Sequence, residues 1–255
     1  MLENYSIVVI PTYNEIDNIS DIIDEVFSLN NNFHVLVIDD NSPDKTYKVV
    51  EKKIIDNKER LFLIKRDQKS GLGSAYTAGF NWVINNSNNY NIIYTIDADF
   101  SHNPKDLLRM KVFLDKNGMD LVIGSRYITG VNVVNWPIQR VLLSYFGSMY
   151  ARIVTGVSIM DLTSGYVGYK TKVIKDILSE GIEFNGYAYQ IEMKYKAHLL
   201  GYKFYEIPII FTDRTKGDSK MNFSIVPEAI FGLIKMRFKY FFQNYKWDIL
   251  LKMDL

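Results

Sequence analysis

Asp97 and Asp99, two carboxylates one residue apart, are the side chains in this sequence best suited to chemistry. They come at the end of the apolar run 91–96 (NIIYTI), which predicts a buried strand. Both carboxylates can turn toward one divalent cation at the end of that strand, and ligation by oxygen alone suits Mg²⁺ or Mn²⁺. Because Asp-x-Asp is also common in surface turns, its position directly after a strand is what favours a metal site.

Polar and acidic residues also follow the other strands predicted in the first half of the chain. Helical patterns separate five candidate strands, at 6–10, 34–38, 61–64, 91–96 and 120–124. This alternation is typical of an α/β protein with a mostly parallel sheet, in which ligands bind beyond the carboxyl ends of the strands. The segments expected there are 11–15 (PTYNE), 39–44 (DDNSPD), 97–99 (DAD) and 125–127 (SRY). Each alone could be a capped turn, but acidic pairs at neighbouring strand ends would repel each other without a cation between them.

Two predicted helices bear on this edge of the sheet. Asn14 is a candidate N-cap for the first helix, whose apolar positions begin at Ile16 and continue at helical spacing. A second helix is predicted over 138–154, where Arg140 and Ser144 lie on one face because they are four residues apart. This helix is more apolar than one core requires, so it either packs between two layers or lies in a lipid interface.

The composition excludes several other classes of protein. The chain has 255 residues, of which 47% are hydrophobic and 23% charged, as expected for a globular protein with one large domain. A net charge of +1 gives no global attraction to nucleic acid, and the sequence contains no nucleic-acid-binding motif. The absence of Cys excludes disulfides, zinc fingers, iron–sulfur clusters and thiol nucleophiles, and the three His residues are too scattered to form a closely spaced metal site.

Targeting signals and nucleotide-binding loops are not predicted either. The N-terminus has no basic segment followed by an apolar stretch, which predicts no signal peptide. No run approaches the roughly 18 to 20 apolar residues that span a bilayer. The segment 70–76 (SGLGSAY) lacks the third glycine of a dinucleotide-binding fingerprint and follows the third strand, so it predicts a tight turn into a helix near a phosphate. No P-loop motif occurs.

Nine segments occur in an order and at a spacing that identify a family. They are PTYNE, IDDNSPDKT, GLGSAYTAGF, IDADFSHNP, GSRY, WPIQRVLLS, TSGY, GYAYQIEM and FTDRTKGDSKM. Over about residues 5 to 230 the chain resembles family 2 glycosyltransferases of the dolichol-phosphate (polyprenol-phosphate) mannosyltransferase type. PTYNE and Asp-x-Asp are shared across inverting nucleotide-sugar transferases. The combination of WPIQRVLLS with DRTKGDSKM is far more specific to the polyprenyl-phosphate branch.

The resemblance implies a GT-A fold, an α/β fold whose mostly parallel central sheet is flanked by helices. It implies a catalytic domain at 1–225 and an amphipathic helical extension at 226–255. The implied donor-binding residues are Pro11, Tyr13, Glu15, Ile38, Asp40, Asp97, Ala98, Asp99, Arg126, Arg214 and Lys220. The implied residues at the acceptor phosphate are Arg126, Arg140 and Ser144. The implied ligands of Mg²⁺ or Mn²⁺ are Asp97, Asp99 and Ser101, and the implied catalytic residues are Asp99, Arg126 and Arg214.

The implied activity is inverting transfer of mannose from GDP-mannose to a polyprenyl phosphate, dolichyl or undecaprenyl, giving polyprenyl-phosphate β-mannose and GDP. The acceptor phosphate is already an anion near pH 7, because its second pKa is about 6, so no catalytic base is expected. Cationic side chains and the metal would offset the repulsion between the two anionic substrates. Two alternatives stay open: another donor, UDP-glucose or a UDP-N-acetylhexosamine, in the same reaction, and a nucleotide-sugar-binding scaffold that has lost activity.

Basic and aromatic residues interleave over 229–255, a composition that favours a membrane-surface anchor over a helix packed on the domain or on a partner. The sequence therefore predicts a peripheral protein on the cytoplasmic face of a membrane, with no spanning segment. A small membrane partner subunit is left open.

Overall fold

The structure, a computed structural model, describes residues 5–30, 32–86, 90–186, 188–214 and 231–240. Its strands are β1 (Tyr5–Thr12), β2 (Phe33–Asp39), β3 (Leu61–Lys65), β4 (Tyr90–Thr95), β5 (Leu121–Ser125), β6 (Val133–Val134), β7 (Val167–Lys170), β8 (Phe204–Pro208) and β9 (Phe211–Thr212). Its helices are α1 (Ile19–Leu29), α2 (Thr46–Asp56), α3 (Leu72–Asn85), α4 (Asp106–Asp115), α5 (Ile138–Thr155), α6 (Thr171–Ser179) and α7 (Ala188–Leu199). Residues 231–240 are helical as well.

Seven strands form the central sheet, in the order β3-β2-β1-β4-β7-β5-β8. All pairings are parallel except those of β7, which runs antiparallel to both β4 and β5. The mostly parallel sheet predicted from the sequence is therefore confirmed. The chain moves outward from β1 through β2 to β3 and then returns to β4 on the other side of β1, so the carboxyl ends of β1 and β4 border the crevice where open α/β sheets bind ligands.

The two faces of the sheet are covered by separate hydrophobic clusters. Alternate residues of β1 divide between them, since Val9 packs with α3, α6 and α7, whereas Val8 packs with α1, α2 and α4. The central strands are consequently buried on both faces and read as continuous apolar runs, which is why the sequence places them within one or two residues. The helices of the two faces hold the strand ends in fixed positions around the crevice.

The prediction that Asn14 caps the first helix is wrong. The N-cap is Asn18, and Asn14 adopts a left-handed conformation with φ 57°. The backbone N–H groups of 14–16 donate instead to side chains of the loop after β2, including Ser42 Oγ at 3.1 Å and Thr46 Oγ1 at 3.0 Å. Residues 13–18 therefore form a loop that is tied to the next strand end rather than the first turn of a helix.

The described part of the C-terminal extension packs on the domain. In the helix 231–240, Leu233, Met236 and Tyr240 are buried in the same cluster as α7. Arg237 Nη1 also donates to Tyr195 Oη at 2.8 Å. The inner face of this helix is thus used by the core, while Phe231 and Phe238 on it are exposed, so the membrane anchor stays a prediction. The predicted boundary between 225 and 226 and the residues from 241 onward lie outside the described residues.

Two glycines allow a matched test of this packing. A Cβ on Gly168 in β7 would lie 2.7 Å from Cε1 of Tyr94 and 2.9 Å from Cδ1 of Leu114, whereas a Cβ on Gly147 in α5 would meet nothing within 4 Å. We expect Gly168→Ala to lower the free energy of unfolding by about 1–3 kcal/mol through overpacking. Gly147→Ala should leave it unchanged or raise it by up to about 1 kcal/mol. Urea unfolding measures both, and equal effects of the two substitutions would contradict the packing described.

Candidate active site

The two carboxylates at the end of β2 are both buried but have different partners. Asp39 is fully buried and accepts hydrogen bonds from Thr12 Oγ1 at 2.9 Å and from both the N–H and the hydroxyl of Ser42 at 2.9 and 2.6 Å. It fixes the loop and has no oxygen turned to the crevice for a ligand. Asp40 pairs with Arg66 at 3.0 Å; burial raises the pKa of Asp40, and the guanidinium opposes that rise.

The predicted nucleoside residues are brought together at the ends of β1 and β2, with one exception. The Glu15 carboxylate accepts a hydrogen bond from Asn18 Nδ2 at 3.0 Å, and the Lys69 ammonium lies 4.2 Å from the centre of the Tyr13 ring. Pro11, the penultimate residue of β1, is half-buried. The exception is Ile38, whose side chain is fully buried in the core against Gly79, so only its backbone could contact a ligand.

Asp97 and Asp99 lie directly beyond β4, as predicted. Asp99 Oδ2 pairs with Arg214 Nη2 at 3.0 Å, and Asp99 Oδ1 accepts the N–H of Ser101 at 3.1 Å. Burial alone would raise the pKa of Asp99, but the bonds from Ser101 and the charge of Arg214 lower it. Desolvation by the surrounding protein and repulsion from the Asp99 carboxylate raise the pKa of Asp97 to about 7. The crevice therefore holds the second negative charge poorly without a further cation.

The side chains around this pair fit a divalent cation. Ala98 between the two carboxylates is small, and the side chain of Ser101, a residue only 2% exposed, lies beside the Asp99 carboxylate. Within the described residues no cluster of three or more His, Asp or Glu side chains could hold a metal ion. Two carboxylates and one hydroxyl would thus leave positions for substrate oxygens, which is how Mg²⁺ and Mn²⁺ commonly bind beside phosphates.

His102 supports the Asp97 backbone rather than a metal. Its Nδ1 accepts the N–H of Asp97 at 3.3 Å, and its ring stacks on Tyr166 with centres 4.8 Å apart. Burial lowers the pKa of His102 to about 4, so the ring is neutral at pH 7. The sequence shows His102 only as one of three scattered histidines and does not predict this role.

Arg126, at the end of β5, is held in a buried ion pair. Its Nε and Nη2 donate to the two carboxylate oxygens of Asp161 at 2.7 Å each, and Nη2 also donates to Thr163 Oγ1 at 2.8 Å. Burial alone would lower the pKa of Arg126, but the Asp161 carboxylate raises it. The guanidinium is therefore charged and fixed in orientation, with Asp161 and Thr163 engaging two of its three nitrogens.

The other two residues predicted at the acceptor phosphate converge with Arg126. The guanidinium carbons of Arg140 and Arg126 lie 4.0 and 5.6 Å from the centre of the Trp136 ring. Ser144 Oγ accepts a hydrogen bond from Tyr127 Oη at 2.7 Å, which joins α5 to the end of β5. The structure thus places one cationic cluster, Arg126 and Arg140 around Trp136, at this side of the crevice.

The residues predicted at the acceptor phosphate and at the donor are joined through two consecutive residues. Arg140 Nη1 pairs with Asp213 Oδ1 at 2.9 Å, and the next residue, Arg214, pairs with Asp99. Lys220, predicted beside Arg214, lies outside the described residues. Asp161, Thr163, Gln190 and Lys194 were missed as individual residues, although the segments TSGY and GYAYQIEM, which hold Thr163 and Gln190, were noticed.

The glycine-rich segment forms the predicted tight turn into a helix, α3, but its glycines serve a backbone contact. The N–H of Gly73 donates to the carbonyl of Asn185 at 3.0 Å. A Cβ on Gly71 would lie 2.7 Å from that same carbonyl, and one on Gly73 would lie 2.5 Å from the carbonyl of Phe184. These glycines therefore let 184–185 approach α3, and α7 starts from there.

Comparison with known proteins agrees with this architecture. Residues 7–178 match the family described as "Glycosyl transferase family 2". The chain belongs to this family. It is 39% identical over 226 residues to the polyprenol monophosphomannose synthase of Mycolicibacterium smegmatis, covering 89% of this chain and 84% of that protein. It is 37% identical over 227 residues to the undecaprenyl-phosphate mannosyltransferase of Micrococcus luteus, covering 89% and 91%.

Two solved structures of glycosyltransferases share the fold. Glucosyl-3-phosphoglycerate synthase from Mycobacterium tuberculosis, in complex with Mn²⁺, UDP and glucosyl-3-phosphoglycerate, superimposes with a TM-score of 0.63 at 18% identity, covering 92% of this chain and 80% of that one. A mannosyltransferase from Pyrobaculum calidifontis, in complex with GDP-Man and Mn²⁺, gives 0.58 at 15% identity, covering 84% and 58%. The likeness confirms the GT-A fold predicted for this glycosyltransferase chain.

The Arg126–Asp161 pair can be tested by removing one partner. We expect Asp161→Ala to lower the free energy of unfolding by about 3–5 kcal/mol, because it leaves a buried guanidinium without its carboxylate. Thermal and urea unfolding measure the loss. The double variant Arg126→Met with Asp161→Leu should lose less than Asp161→Ala alone. A single variant as stable as the wild type would show that the pair is not buried as described.

Proposed function

We propose that this glycosyltransferase moves mannose from GDP-mannose to the phosphate of a polyprenyl phosphate, with inversion, giving polyprenyl-phosphate β-mannose and GDP. The observation that carries the proposal is the pairing of a carboxylate site at Asp97 and Asp99 with a separate cationic cluster at Arg126 and Arg140. The names of the two curated relatives support a polyprenyl-phosphate acceptor and mannose as the sugar.

The two sites suit a reaction between two anions. Arg126 and Arg140 would bind the acceptor phosphate, which needs positive charge held in a fixed position. The acceptor oxygen forms a bond to the anomeric carbon of the sugar, and the bond from that carbon to the diphosphate breaks on the opposite face, so the diphosphate leaves with the electron pair. This geometry inverts an α-linked donor to a β-linked product. A protein base is not required, because the attacking phosphate is already ionised.

The donor would lie along the ends of β1, β2 and β4. Glu15 and Asp40 present carboxylates suited to the N–H edge of a base or to ribose hydroxyls, and Tyr13 offers a ring face. A Mg²⁺ or Mn²⁺ ion held by Asp97, Asp99 and the Ser101 hydroxyl would stabilise the negative charge of the diphosphate. The Mn²⁺ and GDP-Man in the complex of the Pyrobaculum mannosyltransferase support this choice of metal and donor. Arg214 would approach the donor phosphates from its place beside Asp99.

The acceptor lipid would approach over the exposed face of α5. Six large apolar side chains of this helix are exposed at helical spacing: Ile138, Leu142, Tyr145, Phe146, Met149 and Ile153. Only Ser148, Ala151 and Thr155 of α5 are buried, so this helix does not pack between two layers. A helix with one apolar face beside cationic residues suits the surface of a bilayer. Among the described residues, no helix is both long enough and apolar enough to span a membrane.

A donor panel tests the proposed reaction. We expect the purified chain alone, with Mn²⁺ and a short polyprenyl phosphate, to form lipid-linked sugar from GDP-mannose in preference to GDP-glucose, UDP-glucose and UDP-N-acetylglucosamine. Mass spectrometry detects the product, and NMR of its anomeric proton shows the configuration. Asp99→Asn should reduce the rate by about a hundredfold or more, because the diphosphate loses its charge stabilisation.

The control for that variant is Asp24→Asn, the same change at an exposed position on α1 paired with Lys53. It should leave the rate unchanged. A preference for a UDP-sugar would overturn the donor assignment. No product from any donor, with the fold intact, would favour the scaffold or a requirement for a partner subunit.

Binding to vesicles tests the proposed lipid-facing surface. We expect Phe146→Glu and Ile153→Glu each to weaken binding to vesicles of anionic phospholipid about tenfold or more, since a buried large apolar side chain contributes about 1.5–3 kcal/mol. Ile55→Glu, at an equally exposed apolar residue on α2, is the matched control and should have no effect. Co-sedimentation gives the three partition coefficients. Equal effects at all three positions would show that α5 is not the lipid-facing surface.

A further inference from the structure

A small space beside the metal-site carboxylates is left open by Gly165, in the segment that leads into β7. A Cβ placed on Gly165 would lie 4.0 Å from Asp97 Oδ1, 3.9 Å from Cε1 of His102 and 3.4 Å from Nε2 of Gln190. Side chains from two separate segments, the loop after β4 and the start of α7, therefore border the same point. The absence of a side chain at Gly165 is what keeps this point accessible from the Asp97 side.

Gln190, in the first turn of α7, forms the wall opposite Asp97. The residue is only 5% exposed, yet its amide nitrogen Nε2 has no hydrogen-bond partner. An unpaired buried donor destabilises the folded protein, so proteins rarely keep one without a use for it. Its nearest polar surroundings, the open point at Gly165 and the carboxylate of Asp97 beyond it, are those of the crevice.

The backbone at Gln190 is also held in place before any ligand arrives. Lys194 is fully buried and donates through Nζ to the carbonyl of Gln190 at 3.0 Å and to the carbonyl of Ser164 at 2.7 Å. This single ammonium ties the start of α7 to the segment that contains Gly165. Tyr189, next to Gln190, stacks on Tyr76 of α3 with ring centres 5.8 Å apart. The backbone from which the Gln190 side chain extends is thus fixed from both sides, which reduces the entropy lost when the side chain binds a ligand.

We propose that the side-chain amide of Gln190 donates a hydrogen bond to a hydroxyl of the sugar being transferred and so contributes to the choice of sugar. This rests on the proposed function, because it needs a sugar linked to a diphosphate at Asp97 and Asp99. A donor sugar beside these carboxylates lies next to the open point at Gly165, within reach of Nε2. A buried donor that only a correctly placed hydroxyl satisfies discriminates between sugars.

Binding measurements separate a sugar contact from a phosphate or structural one. Gln190→Met keeps the size of the side chain and removes its donor. We expect it to weaken binding of the sugar nucleotide about 3- to 10-fold, the range for one neutral hydrogen bond, and to leave binding of the free nucleoside diphosphate unchanged. Isothermal titration calorimetry with Mn²⁺ gives both constants. Equal weakening of both ligands, or of neither, would overturn the proposal.

Deoxy donors identify the hydroxyl. In a series of GDP-mannose analogues, each lacking one hydroxyl, the Gln190→Met effect should vanish for a single analogue and persist for the others. An effect that persists undiminished for every analogue would also overturn the proposal. Asn81→Leu removes an amide from an exposed position on α3 and is the control, with no change expected.

The sugar nucleotide used is the one that the wild-type chain turns over. A wrong donor assignment therefore appears in the wild-type measurement, whereas a wrong role for Gln190 appears only in the variant. Thermal unfolding of Gln190→Met checks the fold, and an unchanged affinity for the nucleoside diphosphate provides a second check within the same titration.

Discussion

The buried pair of Arg126 and Asp161 is the interaction on which the arrangement of the acceptor side depends. The Asp161 carboxylate accepts hydrogen bonds from two guanidinium nitrogens and from the backbone N–H of Arg126, so it holds both the end of β5 and the Arg126 side chain. Its own N–H is in turn bound by Glu206 of β8 at 3.0 Å. The rings of Trp136 and Phe211 lie near the Arg126 guanidinium. The guanidinium of Arg140, on α5, also lies against the Trp136 ring. A displaced Asp161 would therefore disturb every group proposed to bind the acceptor phosphate.

Charge balance explains why the crevice has two distinct halves. At the end of β2, Asp39 is stabilised by hydrogen bonds from Thr12 and Ser42, and Asp40 is paired with Arg66, so these carboxylates have partners without a metal. Beyond β4, Arg214 compensates for Asp99, while Asp97 faces an excess of negative charge that includes Glu15. Among the described residues no Lys or Arg forms an ion pair with Asp97, and this is where a divalent ion and a diphosphate would together restore the balance.

The sequence predicts the parts of this molecule that local patterns determine. Strands such as β1 and β4 are buried on both faces, so their positions follow from apolar runs alone, and the residues that follow them lie at the crevice because parallel strands end together. The predicted start of α1 is wrong because the N–H groups of 14–16 donate to side chains about 30 residues further along the chain. The Arg126–Asp161 pair and the unpaired amide of Gln190 could not be predicted, since both depend on contacts between distant segments. Ile38 shows a limit of motif matching, because a residue within a matching motif can still face the core.

The antiparallel direction of β7 brings the start of that strand to the edge where β4 and β5 end. A parallel β7 would carry residues 161–166 to the opposite edge, far from Asp97. As it is, Thr95 Oγ1 donates to the carbonyl of Gly165 at 2.7 Å across 70 residues of chain. Contacts over such separations form late in folding, since long loops must close before they are stabilised. The crevice is therefore assembled only when the second half of the chain has docked on the first, and a partly folded chain would have the strands β1 to β4 without the residues proposed to bind the sugar.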